Sequence, residues 1–314
     1  MFGKAKYLRT FLTVNFKPTP FNHEKASHII LSNLKYLRVL SFHNYPYLYE
    51  LPDLIGELVH LRYLDLSGTY IKTLPDSLCS MYNLQTLKMI CCERLTKLPN
   101  DMHNLVNLRH LDISGTRKLQ EMPRQMRKLN RLQHLSCFVV GKHEEKGIKE
   151  LGTLSDLHGS LSIKKLENIN NSFEALDARI MDKKYLEELE LEWSEDVADD
   201  VENSQSEMDI LGKLQPAKYL KRLDIRGYRG TRFPEWVGHP SYHNLTKLFL
   251  YGCHNCFMLP SLGQIRSLKN LTICGISMLR TVEPELFKND DYPSDTPFPS
   301  LEHLKFNDMS FWEV

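Results

Sequence analysis

No stretch of this 314-residue chain approaches the about 18 continuous apolar residues that a membrane-spanning helix needs. The opening MFGKAKYLRTFLTVNF has no apolar run followed by small residues, so neither secretion nor a membrane span is expected. Net charge is equally scarce. Forty Lys and Arg face 39 Asp and Glu, and the resulting +1 excludes both a global basic field for nucleic acid and the acidic excess of a solvating tail. Cysteine is thin and odd in number: the seven residues Cys79, Cys91, Cys92, Cys137, Cys253, Cys256 and Cys274 make a poor disulfide framework and fit a reducing compartment. Glycosylation sequons at Asn170, Asn244 and Asn270 carry no weight without a secretory route.

Catalytic signatures are also missing. The chain contains no G-x-x-x-x-G-K-[ST], G-x-G-x-x-G, H-E-x-x-H or G-x-S-x-G, and its 13 histidines are scattered, so no catalytic, cofactor-binding or metal-binding residue is expected. His110, in an outward place between Arg109 and Leu111, is read as a surface contact rather than a general base. Cys253-His254-Asn255-Cys256 has the spacing of half a zinc site, but no second C-x-x-C or H-x-x-x-H completes a tetrahedral set.

What the chain does have is a repeat. The phrase LRYLDLSGTYIKTLPDSLCSMYNLQTL aligns L-x-x-L-x-L at Leu61/Leu64/Leu66 with Leu84/Leu87/Met89, Leu108/Leu111/Ile113 and Leu132/Leu135/Cys137, and with Leu37/Leu40/Phe42 upstream. The middle leucines advance by 24, 23, 24 and 24 residues, while Pro52, Pro75, Pro99 and Pro123 keep steps of 23, 24 and 24. Two independent markers holding one period within 20 to 29 residues are the signature of leucine-rich repeats. The fold expected is α/β, a leucine-rich-repeat solenoid (horseshoe) with a parallel concave β-sheet and short helical or irregular convex segments.

Physics accounts for the fixed letters. The last two leucines of L-x-x-L-x-L alternate with period two, so they lie on the inner face of a short strand, and stacking coils about 4.8 Å apart turns them into a continuous ladder. The Leu-Pro pairs fall on the return path, where proline fixes φ and holds the preceding residue extended. Position nine, Thr69, Cys92, Thr116 and Cys253, is expected to satisfy backbone groups of neighbouring coils, with Cys256 at position twelve.

Beyond Cys137 the strand cores continue at Leu161/Ile163, Leu189/Leu191, Leu223/Ile225, Leu248/Leu250, Leu271/Ile273 and Leu304/Phe306, with steps widened to 28, 34 and 33 residues by insertions. The organisation expected is an N-terminal lead-in over 1–33, with an irregular first repeat as the alternative. Regular repeats of 23–24 residues follow over 34–140, and irregular repeats over 141–314 carry an acidic loop at about 194–209. From Glu187 to Asp209 there are eleven acidic residues and no basic one, read as a solvated loop, with a docking surface for a basic partner as the alternative. Arg117, Lys118, Arg124, Arg127, Lys128 and Arg131 lack interleaved aromatics and are read as a solvated return face rather than a nucleic-acid site.

The letters that the ladder leaves free define the candidate protein-binding face: Tyr63, Asp65, Thr86, Lys88, His110, Asp112, Glu188, Glu190, Arg222, Asp224, Lys247, Phe249 and Tyr251. Mixed charge with Arg and Tyr suits a protein partner.

The phrases LRYLDLSGTYIKTLPDSL, NLQTLKMICCERLTKLP and NLVNLRHLDISGT, followed in order by LHGSLSIKKLENI, LEELELEW, LKRLDIRGYRGTRFPEWV and NLTKLFLYGCHNCFMLPSLGQIRSLKNLTI, carry a resemblance over nearly the whole chain. They resemble the leucine-rich-repeat region of plant coiled-coil nucleotide-binding leucine-rich-repeat disease resistance proteins. The resemblance implies a non-enzymatic cytoplasmic, or nucleo-cytoplasmic, module that senses a pathogen effector directly or through a guarded host protein. It also implies restraint of the receptor's own nucleotide-binding domain. The P-loop and coiled coil of that family are absent here, so ATP or ADP is assigned to a domain outside these residues. The ending EHLKFNDMSFWEV stops inside a coil without a polar cap, which reads as a fragment or truncated product. A general intracellular repeat scaffold outside immunity is the alternative.

Overall fold

The structure is a computed structural model that describes residues 7–13, 23–194, 204–280, 286 and 296–310. Two compact units divide the chain, Met1–Lys146 and Gly147–Val314. The first unit is built on parallel strands β1 (Thr10–Leu12), β2 (Val39–Ser41), β3 (Tyr63–Asp65), β4 (Thr86–Lys88), β5 (His110–Asp112) and β6 (His134–Leu135), paired in chain order. Helix α1 (His23–Asn33) precedes β2, and the short strand β7 (Cys137–Val139) follows β6. Leu40, Leu64, Leu87, Leu111 and Leu135 are register partners along the sheet, and all are buried. This is the ladder that the repeat spacing calls for, each fully buried leucine contributing roughly 1.5 to 3 kcal/mol.

Coils return through single 3₁₀ turns, Asp53–Glu57, Asp76–Ser80, Met102–Asn104 and Met126–Lys128. Pro52 and Pro75 cap the first two with φ −61° and −70°, the value the pyrrolidine ring imposes. A period of 23 or 24 leaves no room for a longer helix, and the turns touch. A Cβ on Gly56 would lie 2.6 Å from the carbonyl oxygen of Ser77 in the next coil.

After each strand the backbone turns through the left-handed region at one fixed place, Asn44, Gly68, Cys91 and Gly115, with φ of 54°, 70°, 54° and 74°. The amides of Asn44, Gly68 and Cys91 donate to Ser67, Ile90 and Ser114 of the following coil at 2.8 Å, so the turn extends the sheet's hydrogen bonding by one residue. Cys91 therefore sits where glycine is the least strained residue.

Position nine works closer to home than the spacing suggests. Thr69 Oγ1 donates to Leu66 O at 2.7 Å and Thr116 Oγ1 to Ile113 O at 2.6 Å, both within their own coil, whereas Cys92 Sγ reaches Leu66 O of the neighbouring coil at 3.1 Å.

In the second unit β8 (His158–Lys164), β9 (Tyr185–Glu192), β10 (Arg222–Arg226), β11 (Lys247–Tyr251), β12 (Asn270–Cys274) and β13 (His303–Asn307) run parallel. Leu161, Leu189, Leu223, Leu248, Leu271 and Leu304 are in register. All are buried except Leu304, on β13, which is 53% exposed. Gly227, Gly252 and Gly275 repeat the left-handed turn, and a Cβ at Gly227 would stand 2.6 Å from Trp193 O.

Insertions form two helices, α2 (Ser172–Asp177) and α3 (Ser204–Lys213). Asn171 caps α2, its Oδ1 accepting from the amides of Phe173 and Glu174 at 3.0 and 3.1 Å. Residues 195–203 of the acidic stretch lie outside the described residues, but 204–209 differ from the expected loop: they open α3, which packs on the core. Glu207 is buried, accepts from Trp193 Nε1 at 2.5 Å, and its carboxyl is pushed up, first by burial. Trp236 Nε1 donates to Leu211 O at 3.0 Å. The apolar residues Ile210 and Leu211, four and three residues before Leu214, supply the buried side that the dense acid in the sequence obscures.

Lys183 is fully buried and directs Nζ at the carbonyls of Leu151 (2.8 Å) and Leu154 (3.2 Å), just past the 3₁₀ turn Ile148–Leu151. Burial pushes its ammonium down to about 8.

Two stability measurements follow from this packing. In urea titrations Leu111→Ala costs about 2 to 5 kcal/mol and Asp112→Ala under about 1, and equal losses contradict the register. For Lys183 the unfolded chain keeps its proton to higher pH than the folded one, so rising pH favours folding between the two values. Wild-type stability measured against Lys183→Met therefore increases from pH of about 8 to about 10.5, and a pH-independent difference contradicts the assignment.

Candidate protein-recognition surface

In each unit, side chains flanking the ladder leucines stand on the open face of the sheet. In the first unit Tyr63, Thr86, His110 and His134 form one registered row, and Ser41, Asp65, Lys88 and Asp112 a second. The acids of the second row are turned back onto the chain. Asp65, only 8% exposed, accepts from the Ser67 amide at 2.9 Å and lies 3.8 Å from His43 Nδ1. Asp112 accepts from the amide and hydroxyl of Ser114 at 3.2 and 2.8 Å. Both belong to an Asp-x-Ser turn entering the left-handed residue, which gives the carboxylate a local donor two residues on. Tyr63 Oη lies 3.4 Å from Asp65 Oδ2, and its phenol is pushed up by burial and then by that carboxylate. The His110 and His134 rings lie 6.5 Å apart, and His110 is held below the usual imidazole range by burial and by the positive charges of His134, Arg109 and Lys88.

The second unit brings Glu188, Glu190, Arg222, Asp224, Lys247, Phe249 and Tyr251 together on β9, β10 and β11. Asp224, 3% exposed, is the hub. It accepts from Arg222 Nε and Nη2 at 2.8 and 2.9 Å and from Arg226 Nη2 at 3.2 Å, while Arg226 Nε lies 2.6 Å from Glu190 Oε1. This bidentate pairing holds the Arg222 guanidinium charged. Above the hub the two guanidiniums lie over rings, Arg222 4.6 Å from Phe249 and Arg226 5.6 Å from Tyr251. Lys164 pairs with Glu192 at 2.7 Å.

The face therefore extends to Lys164, Glu192 and Arg226, which the sequence reading left out. The expected face includes no position on β8 and two each on β9 and β10, where those strands hold eight and five residues. The period-two spacing Arg222, Asp224, Arg226 was the available signal. Asp65 and Asp224 sit beneath the surface and organise it, whereas Glu188, Lys247 and Tyr251 are exposed.

Among the described residues no three metal-capable side chains cluster, and no helix is long and apolar enough to cross a membrane. Cys256 Sγ lies 3.0 Å from Gly230 O, and burial pushes the Cys253 thiol up to about 12 and Cys256 well up as well.

Stacked short parallel strands with inward leucines, 3₁₀ returns and an outward mosaic of charge and aromatics define a leucine-rich-repeat protein, and this chain is one. The Leucine Rich Repeat family model matches residues 60–81 and that of the R13L1/DRL21 LRRs residues 148–276. The functional domain of InlJ from Listeria monocytogenes superposes with a TM-score of 0.62 at 14% identity, over 100% of this chain and 56% of that one. The leucine-rich-repeat domain of the type III effector XopL gives 0.50 at 19%, over 93% and 85%.

More particularly, its repeats are similar to those of plant disease resistance proteins. It is 41% identical over 321 residues to the putative disease resistance RPP13-like protein 1 of Arabidopsis thaliana, covering 99% of this chain and 30% of that protein. It is 36% identical over 281 residues to the putative disease resistance protein RGA1 of Solanum bulbocastanum, covering 90% and 27%. The chain thus spans less than a third of these relatives.

Removing the hub carboxylate by Asp224→Ala strands two guanidiniums and costs about 1 to 3 kcal/mol in denaturant titration, while Glu188→Ala on the exposed row costs under about 0.5. Equal, small losses would show that the hub does not organise the face.

Proposed function

We propose that this chain is the protein-recognition module of an intracellular plant immune receptor. It senses a pathogen effector directly or through a guarded host protein, and restrains a nucleotide-binding domain that lies outside these residues. Its action is non-enzymatic and cytoplasmic, and ATP or ADP is bound by that other domain. The observation that carries this reading is the surface itself. A registered leucine ladder holds the backbone, so exposed positions such as Lys247 and Tyr251 vary at little cost to folding. Half-buried Arg222 and Arg226 and exposed Tyr251 on a braced ion-pair network are of the residue types that carry interface energy. The relatedness to disease resistance proteins supplies the biological setting.

The test is capture of the nucleotide-binding segment of the same receptor by the repeat chain, with and without Lys247→Glu plus Tyr251→Ala. Capture that the double variant weakens at least tenfold is expected. Absence of capture, together with absence of any effector or host protein bound through this face, overturns the reading.

A further inference from the structure

The two sheet faces treat their cations differently. In the second unit most are tied to carboxylates, Lys164 to Glu192, Arg222 to Asp224, Arg226 to Glu190 and Lys221 to Glu187, at 2.6 to 3.0 Å, while Lys247 has no ion pair among the described residues. In the first unit Arg38, Arg62, Lys88 and Arg109 have no ion-pair partner among the described residues, although Lys88 stands between Asp65 and Asp112 in its row. Those two carboxylates are already engaged by the turns that follow them, Asp65 by the Ser67 amide and Asp112 by Ser114.

The cations are also aligned. Arg38, Arg62 and Arg109 are exposed and sit immediately before β2, β3 and β5. The amide of Arg62 donates to Arg38 O, that of Gln85 to Arg62 O and that of Arg109 to Gln85 O, each at 2.8 Å, which registers these positions from coil to coil, with Gln85 in place of an arginine before β4. The basicity of His110 is depressed first by burial and then by the charges of His134, Arg109 and Lys88.

We infer that the open face of β2 to β6 docks an acidic, extended polypeptide segment lying across the strands. Three coil steps separate Arg38 from Arg109, about 14 Å at about 4.8 Å per strand; arginine heads the first, second and fourth of these coils, and on the third, headed by Gln85, Lys88 lies three residues further along. A compact anion such as a single phosphate meets one or two of these groups. An extended chain rising about 3.3 Å per residue meets all of them within five or so residues. Charge that is unpaired in the free protein is released from its hydration only by a partner of opposite sign, and it sets encounter rate and specificity more than bulk affinity. The inference rests on the protein-recognition reading and specifies the chemistry of one partner segment.

The test uses fluorescence anisotropy of the whole chain with a labelled 12-residue alternating Glu-Ser peptide, beside a Lys-Ser peptide and a 12-nucleotide single-stranded DNA. Arg62→Glu with Arg109→Glu is compared with Arg117→Glu with Lys118→Glu, which makes the same charge change on exposed residues after β5. The expected result is salt-sensitive binding of the acidic peptide that the first pair weakens tenfold or more and the second less than threefold. Absence of acidic-peptide binding, equal loss in both variants, or tighter binding of the DNA overturns the inference. Should the Glu pair fail a melting control, Arg62→Gln with Arg109→Gln takes its place and is expected to weaken binding at least threefold. If the face variant still captures the receptor's nucleotide-binding segment undiminished, this site fails while the recognition reading stands.

Discussion

Everything in this protein depends on one geometric constraint: a leucine in each coil must meet the leucine of the next at the spacing of a parallel strand. Leu64, Leu87 and Leu111 satisfy it in the first unit, Leu189, Leu223 and Leu248 in the second. A lone coil shelters nothing, so the chain gains burial only by stacking. The rest follows from closing each coil within its allotted length. Proline starts a 3₁₀ return at Pro52 and Pro75, a left-handed residue ends the strand at Gly68 or Cys91, and a hydroxyl at Thr69 or Thr116 ties off the carbonyl left behind.

This is why the ladder was legible in the sequence. Its letters are set by a local period, and period two within the strand fixes which residues face outward. Features that depend on contacts between distant residues left no such trace. Lys183 reaches carbonyls 29 and 32 residues away, and Trp193 meets Glu207 across a 14-residue gap. The acidic stretch read as solvent-exposed because eleven carboxylates dominate its composition, yet Glu207, Ile210 and Leu211 are buried side chains of α3. Alternation also placed Asp65 and Asp224 outward correctly, but not their burial. Asp65 is claimed by a backbone amide two residues on, Asp224 by two guanidiniums.

The ladder of each unit supports a different kind of surface. In the second unit acid and base are matched across β8 to β10, and the arginines rest on aromatic rings, giving a braced face from which Glu188, Lys247 and Tyr251 project. In the first unit the carboxylates serve the turns, so lysine and arginine carry the field. Surface ion pairs contribute little to stability, so the contrast bears on what each face can bind rather than on how firmly it folds.

The central claim is that the ladder bears the fold and leaves the outward letters free for recognition. A single variant with threonine at Tyr63, Lys88, His110, Lys247 and Tyr251 tests both halves at once. The account predicts a cooperative urea transition within about 2.5 kcal/mol of wild type, since surface substitutions typically cost under about 0.5 each, together with loss of partner capture. A collapse of stability, or capture that survives intact, would contradict it.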